Sequence, residues 1–277
     1  MKNFFVFTFV LFSILCFAQS ATRVDKIDFK ASYRLNYKKF ASSDKTALEN
    51  QVLILKSDGT SYFMFETMMG LDSIQKVRSL DITDIMLYRS PLYYLIERKG
   101  NKVTHFELIG NDLLKYSEQL GFDWKLVAGQ KIIREYNCKK ATVDFEGRQW
   151  TAWYSDEIPL NAGPYKFYGL PGLILEISDS ESLFNFSVES MESGNFTVDS
   201  NTSNYFISDG DNTIQDIKKE DFHDVRKKFY KMSMNESIKY MNRGEDGVYS
   251  MEITTLNGEK VNPNRKPKTK NFIEKYD

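Results

Sequence analysis

Four acidic residues beside an aromatic-rich segment have the type and spacing for hydrolytic chemistry: Asp144, Glu146, Asp156 and Glu157. Cleavage of a glycosidic bond needs two carboxyl groups about 5 to 9 Å apart. The sequence does not specify that separation, and its 38 acidic residues allow many other pairs. A secreted, glycan-cleaving hydrolase is therefore one hypothesis. It requires two partly buried acids that face each other, at least one with a raised pKa.

Metal and cofactor chemistry has little support in the sequence. The chain contains two histidines, His105 and His223. It lacks the His-Glu-x-x-His, Cys-x-x-Cys and Gly-x-Ser-x-Gly motifs and the glycine-rich phosphate loops. His105 lies in an alternating segment and is predicted to be partly buried and structural, whereas the acidic neighbours of His223 favour a helix-surface position. We predict no catalytic residue, no metal site and no cofactor.

Six aromatic residues form a candidate binding surface: Trp150, Trp153, Tyr154, Tyr165, Phe167 and Tyr168. Aromatic side chains stack on sugar rings and anchor protein partners, but they also fill the interiors of curved sheets. Trp150 and Tyr154 share one face of a strand, and Trp153 takes the other face. If Trp150 and Tyr154 point inward, Trp153 becomes the candidate for ligand contact.

The N-terminus is typical of a cleaved signal peptide. An apolar run from Phe4 to Phe17 follows a short basic head and precedes small residues, so we assign 1–19 to the signal and 20–277 to a single β-rich domain. The run is shorter than the ~20 residues of a spanning helix, so no transmembrane segment is expected after cleavage. Leu15 disfavours lipidation of Cys16. We expect a periplasmic or extracellular protein.

The charge distribution and the cysteine content bear on two further functions, nucleic-acid binding and thiol chemistry. The 37 basic and 38 acidic residues are interspersed and give a net charge of −1, whereas nucleic-acid binding calls for a concentrated basic face. The locally basic Arg265 to Lys270 is predicted to be a solvated linker. Beyond the signal peptide Cys138 is the single cysteine, so we predict that it is buried and unreactive.

Alternation of apolar and polar residues predicts that strands dominate the first three quarters of the chain. Ile27 to Tyr37 alternates over a length that suggests a curved sheet. Short turns such as Asp58-Gly59 favour antiparallel pairing. Phe222, Val225 and Phe229 then follow a helical spacing. The predicted fold is mainly β (α+β): a curved, antiparallel, half-barrel-like sheet with a C-terminal amphipathic helix near 214–242 and an extended basic tail.

The stretch from Gly163 to Ile177 joins two Gly/Pro turn signals to an apolar run. Pro171 and Gly172 suit the second and third positions of a type II turn, because Pro fixes φ near −65° and Gly tolerates a positive φ. Together with Gly169 they are predicted to be structural turn residues that set the register of a strand beginning at Leu173. A ligand-binding loop is the alternative.

The hexapeptide Gly169-Leu170-Pro171-Gly172-Leu173-Ile174 resembles the signature of the GLPGLI family, secreted proteins of Gram-negative bacteria without an established common activity. The resemblance is densest over the central block Cys138 to Ile177, and the closing Asn271 to Glu274 is also similar. It implies export and a mainly β domain, and it brings no catalytic residues. Similar modules look to occur attached to secreted glycan-cleaving enzymes, and this resemblance implies an accessory role at most.

The leading hypothesis is therefore an exported, non-enzymatic β-module of the cell envelope that binds a partner protein, a glycan or an apolar ligand. A carrier of apolar ligands would need a cavity on the concave face of the sheet. Dense packing of that face by Phe and Tyr side chains would remove the carrier hypothesis.

Overall fold

Twelve strands form one sheet in the computed structural model, which describes residues 24–40, 44–69, 93–199, 213–241, 262–267, 270 and 272–275. The strands are β1 (Val24–Tyr37), β2 (Ala47–Lys56), β3 (Ser61–Phe65), β4 (Tyr94–Lys99), β5 (Lys102–Ile109), β6 (Asp112–Gln119), β7 (Lys125–Ile133), β8 (Tyr136–Phe145), β9 (Arg148–Ser155), β10 (Leu173–Asp179), β11 (Phe184–Asp199) and β12 (Gln215–Asp216). Their order is β12-β6-β5-β4-β3-β2-β1-β11-β10-β9-β8-β7. The predicted mainly β fold with a curved, half-barrel-like sheet is confirmed.

Strand pairing follows the short connections of the sequence. Neighbouring strands are antiparallel, and the two-residue β12 is the exception because it runs parallel to β6. β1 lies near the middle of the sheet and pairs with β2 on one side and with the distant β11 on the other. The long β1–β11 pair therefore joins the two halves of the chain.

One face of the sheet packs against the protein's own core, and we call it the inner face. In β1 it carries Ala31, Tyr33, Leu35 and Tyr37, which are all buried, while the residues between them are half-buried or exposed. The face continues across strands because Leu35 lies opposite Phe186 of β11. The alternation that predicted a long strand therefore also identifies its buried side.

The chain between β9 and β10 crosses the inner face and returns through the Gly169–Ile174 hexapeptide. The predicted type II turn does not form: φ of Gly172 is 157°, far from the ~80° of such a turn, and the N–H of Leu173 donates to Ile158 O at 3.0 Å rather than to Leu170 O. A Cβ on Gly172 would lie 2.1 Å from the carbonyl oxygen of Ser155. Glycine is therefore required by a close approach of two backbones, and the motif sets the packing of β10 against the end of β9.

Two helices lie within the predicted helical segment: α1 (Lys219–Tyr230) and α2 (Met234–Met241). Phe222 of α1 is fully buried, and its ring centre lies 4.8 Å from that of Tyr116 on β6. His223 and Arg226 are also buried, so the predicted helix-surface position of His223 is wrong. Residues at positions i, i+1 and i+4 share one helix face, and here that face is turned toward the sheet.

Part of the sequence-based prediction lies outside the described residues, namely the signal peptide 1–19. Within the described part of the chain, no helix is long and apolar enough to cross a membrane. Of the basic segment, residues 265–267 are exposed. Lys270 is half-buried, with its ammonium 3.7 Å from the centre of the Tyr230 ring. The predicted solvated linker therefore does not extend to Lys270.

Candidate functional site

A group of charged and polar side chains is buried on the inner face where β5 and β6 meet α1. We call it the ionic cluster; its members are His105, Glu107, Tyr116, Glu118, Tyr165, Lys166, Arg226 and Glu274. All except the half-buried Glu118 are buried. They come from two strands, the loop 156–172, helix α1 and the C-terminal segment 272–275. The cluster is therefore assembled by tertiary packing of segments that are distant in the sequence.

Lys166 lies at the centre of the ionic cluster. Its ammonium donates to Tyr116 Oη at 2.6 Å and to Glu118 Oε1 at 2.8 Å, and it lies 2.5 Å from Glu274 Oε1. Glu274 also accepts a hydrogen bond from the hydroxyl of Tyr165 at 2.8 Å. An ammonium has three donors, and three oxygens are within reach of this one. The buried cation is therefore compensated in both charge and hydrogen bonding.

Glu107 is held from two sides. Its Oε2 lies 3.1 Å from Nε2 of His105, and its Oε1 lies 3.2 Å from Nε of Arg226. The His105 ring stacks on Tyr116, with ring centres 5.3 Å apart and planes 12° apart. His105, predicted to be partly buried, is fully buried. Its role is structural in this arrangement, since it links the Glu107–Arg226 pair to Tyr116 in the Lys166 network.

Electrostatics fix the protonation states of these groups. Burial opposes ionisation of Glu274, but Lys166, by its charge and its hydrogen bond, together with His105 and Lys219 outweighs burial and lowers the pKa of the carboxyl to about 2. Burial also opposes ionisation of Glu107, but its neighbours, chiefly the guanidinium of Arg226, lower the pKa of this carboxyl. Burial lowers the pKa of His105 and brings that of His223 to about 3. At neutral pH the carboxyls are thus ionised and the histidines neutral, whereas a general acid needs a raised carboxyl pKa.

The C-terminal segment 272–275 is fixed over the cluster by Arg148 of β9. The guanidinium donates from Nε to Ile273 O at 3.0 Å and from Nη2 to Phe272 O at 3.1 Å. It also pairs with the buried Asp179 at 2.8 Å. This segment was predicted to belong to an extended tail, and instead it places the fully buried Glu274 in the core.

The four acids proposed for hydrolysis do not form a facing, partly buried pair. Each is solvated or held by a neighbour: Lys125 lies near Asp144, Lys219 pairs with Glu146, Lys139 pairs with Asp156, and Asn137 donates to Glu157. The hydrogen bond from Lys139 lowers the pKa of Asp156. The described part of the chain also contains no group of His, Cys, Asp and Glu suited to a metal ion. The hydrolase hypothesis therefore gains no support.

Five of the six residues of the candidate binding surface are core residues: Trp150, Tyr154, Tyr165, Phe167 and Tyr168 are all buried. They lie where the loop 156–172 covers the sheet; the rings of Trp150 and Phe167, for example, are 4.8 Å apart. Trp153 is half-buried on the opposite face. Since Trp150 and Tyr154 point inward, Trp153 is the one member of this set that stays a candidate for ligand contact.

The middle of the inner face is filled by aromatic side chains. The rings of Tyr33 and Phe63 are 6.0 Å apart, and those of Phe63 and Phe186 are 6.1 Å apart. The hydroxyl of Tyr33 donates to Ile174 O at 2.7 Å across the core. In the described residues this part of the concave face is packed, so the carrier hypothesis loses its structural basis here.

At the opposite end of the sheet, β7 is the last strand in the order, and among the described strands it pairs with β8 alone. Leu126 and Ile132 are 65% and 70% exposed. A recess of about 410 Å³ lies beside this strand, lined by Gln130, Lys131, Ile132, Asn137, Cys138 and Lys139. Cys138 is buried at this recess, as predicted, and burial raises the pKa of its thiol.

Sequence reasoning missed the ionic cluster. Lys166 lies inside an aromatic run and Glu274 inside the closing segment, and the sequence suggested no role for either. A charged residue between Tyr165 and Phe167 is the one signal that could have revealed buried charge, because such neighbours favour core positions. Nothing in the sequence connects Lys166 with Glu274.

Comparison with known proteins finds similarity to one family model over a short segment and to the fold of solved structures. Residues 144–176, which include the Gly169–Ile174 hexapeptide, match the family model described as "Protein of unknown function (Porph_ging)". No curated protein matches the chain. The match covers only the block from the end of β8 to β10.

Two solved structures of PNGF-II, in space groups P21 and C2, share the fold. Each has a TM-score of 0.50, with 18% and 17% identity, over 72% of this chain and 33% and 32% of PNGF-II. A LolA superfamily protein from Nitrosomonas europaea is similar over 62% of this chain and 87% of its own, with 12% identity and a TM-score of 0.27. This chain therefore resembles a mainly β portion of PNGF-II and spans about a third of that protein's length.

Proposed function

We propose that the protein is an exported, non-enzymatic, GLPGLI-type module of the cell envelope that binds a partner protein by addition of a strand to β7. The single observation that carries the proposal is the edge of β7, where one side has no partner strand among the described residues and apolar side chains are exposed. The signal-peptide pattern at residues 1–19 supports export.

The geometry of β7 suits an extended protein segment. Nine residues, Lys125–Ile133, give a strand of about 30 Å at ~3.3 Å per residue. In strand addition the main-chain hydrogen bonds supply affinity, and pockets beside the edge supply specificity. The recess of about 410 Å³ next to Ile132 and Cys138 is large enough to receive a side chain of the added strand.

The edge also has features that limit promiscuous pairing. The register of β7 against β8 shifts between Val127 and Gln130, and bulges and lysines are common protections of edge strands. Lys125 and Lys131 are already near Asp144 and Glu176, at 3.9 and 2.6 Å. Their charge is therefore locally balanced, which favours a partner selected by shape and apolar contact over an acidic partner.

A protein partner fits better than the other two ligand classes. Sugar stacking needs a free ring face, and the ring of Trp153 already has the ammonium groups of Lys131 and Lys140 at 4.6 and 5.8 Å from its centre. An apolar ligand needs a cavity, and the described middle of the inner face is packed. The likeness to one third of PNGF-II supports a role beside another domain.

Site-specific photo-crosslinking in the organism that makes the protein tests the proposal. A photoreactive amino acid at Ile132 should give a discrete adduct with another protein, and the same residue at Leu48 of β2, which is 63% exposed, is the matched control. Adding Leu126→Lys to the Ile132 probe should abolish the adduct. The proposal fails if Ile132 gives no protein adduct, or if Leu48 gives the same one.

A further inference from the structure

At the end of the inner face where β5 and β6 meet α1, which we call the closed end, one buried carboxylate is surrounded by hydrogen-bond donors. Three donors converge on the side chain of Glu274: the hydroxyl of Tyr165 at 2.8 Å, the hydroxyl of Tyr116 at 3.4 Å and the ammonium of Lys166 at 2.5 Å. Lys166 and Glu274 are both fully buried as side chains. The donors come from β6 and from the loop 156–172, so they are positioned independently of the segment that carries Glu274.

The segment that supplies this carboxylate is also held through its backbone atoms. Arg148 binds the carbonyl oxygens of Phe272 and Ile273, and the N–H of Lys275 donates to Glu146 O at 3.0 Å. The side chain of Ile273 is buried. Backbone recognition next to one buried charged anchor is how proteins commonly bind extended peptides.

We propose that Lys166, Tyr116 and Tyr165 form a carboxylate-binding site, and that residues 272–275 are its built-in peptide ligand, a strap whose Glu274 closes the inner face over the ionic cluster. The site recognises a Glu side chain that follows bulky apolar residues in an extended segment. The proposal is independent of strand addition at β7, which lies at the other end of the sheet.

The charges around the site agree with this assignment. The side chains that face Glu274 are Lys166, Tyr116 and Tyr165 from the strand and loop side and His223 from α1, whose Nε2 is 4.0 Å from Oε2. Lys166 retains Glu118 as a second partner at 2.8 Å. Removal of the Glu274 carboxylate would therefore leave the cation in place and create a space that a small carboxylate can enter.

Chemical rescue tests the site in the full-length protein. Glu274→Ala should lower the Tm, and sodium acetate should restore at least half of that loss in a saturable manner, whereas sodium chloride at equal ionic strength should not. Asp156→Ala, which removes the carboxylate of the exposed Lys139–Asp156 pair, is the matched control and should show no acetate effect. Equal effects of acetate and chloride on Glu274→Ala, or equal rescue of Asp156→Ala, would overturn the proposal.

A second comparison keeps the test decisive if Glu274→Ala does not fold. Glu274→Asp keeps the charge in a shorter side chain, and Glu274→Gln keeps the shape without the charge. A carboxylate site predicts a higher Tm for Glu274→Asp than for Glu274→Gln. The reverse order would show that the segment is held by packing alone.

Discussion

The two ends of the sheet differ in what covers the inner face. At the β5–β6 end, helix α1, the loop 156–172 and the segment 272–275 all pack on the strands, and charged groups such as Glu107 and Lys166 are buried. At the other end, in the described part of the chain, no strand pairs with the outer edge of β7, and Leu126 and Ile132 of this strand face solvent. Polar groups are thus inside at one end, and apolar groups are outside at the other.

This contrast distinguishes residues that stabilise the fold from residues that are available to bind a partner. The ionic cluster is the most unusual chemistry in the described residues, yet its charges are paired with one another and link five segments of the chain. Exposed apolar residues are informative for the opposite reason, because they gain free energy only when another surface covers them. The buried ion pairs at the closed end therefore indicate a role in stability, whereas the exposed apolar side chains of β7 indicate a role in recognition.

The largest expected loss of stability follows from a substitution at the closed end. Lys166→Met removes a buried cation and leaves Glu274 and the half-buried Glu118 without their common partner, so the free energy of unfolding should fall by about 3 to 5 kcal/mol in denaturant melts. Lys139→Met is the matched control, since Lys139 and Asp156 form an exposed pair, and it should be silent. Equal stability of the two variants would break the distinction between the two ends.

The loop that brings Lys166 to the closed end depends on Gly172. A Cβ there would meet the backbone of Ser155 at 2.1 Å, so Gly172→Ala should cost about 3 kcal/mol or more in denaturant melts. A Cβ on Gly121 would meet no other atom within 4 Å, and Gly121→Ala should change stability by less than about 0.5 kcal/mol. A neutral Gly172→Ala would mean that the close approach does not exist in solution.

Truncation of an apolar side chain to alanine should lower stability where the side chain is buried and leave it unchanged on β7. Leu173→Ala removes a fully buried side chain at the start of β10 and should cost about 2 to 5 kcal/mol. Ile132→Ala, at a residue 70% exposed, should change stability by less than about 0.5 kcal/mol. A large loss of stability for Ile132→Ala would show that β7 is covered within the monomer, contrary to the proposed binding edge.

Acid should weaken the closed end selectively. The folded pKa of His223 is about 3, below its ordinary 6.5, so its contribution to stability is present above pH 6.5 and is lost as the pH falls toward 3. The folded pKa of Glu274 is about 2 against an ordinary 4.5, so its contribution is present above pH 4.5 and is lost toward pH 2. Both terms predict that the free energy of unfolding falls on acidification.

The measurement for this smaller effect is a series of denaturant melts between pH 7 and about pH 4. His223→Gln should flatten the part of the profile below pH 6.5, because the variant lacks the titrating group. A wild-type profile that rises on acidification, or a variant profile identical to the wild type, would contradict the assigned protonation state.

The local sequence was sufficient to predict β1 and α1. Alternation in residues 27–37 predicted both the existence and the buried face of β1, and the spacing of Phe222, Val225 and Phe229 predicted α1. These patterns are readable because side-chain direction repeats every two residues in a strand and every 3.6 in a helix. The same reasoning predicted a buried Cys138, and it could not decide whether six aromatic residues were core or surface.

Contacts between segments that are distant in the sequence depend on the tertiary structure, and the sequence did not predict them. The role of Gly172 depends on Ser155 from the neighbouring strand, and no local turn rule contains that contact. The pairing of Lys166 with Glu274 joins residues 108 positions apart, since a buried charge takes its partner from whatever segment packs against it. The open edge of β7 likewise depends on strand order, which short-range periodicity does not encode. Sequence alone thus predicted β1 with its buried face and the presence of α1, and only the packing determined which end of the sheet is covered by other segments.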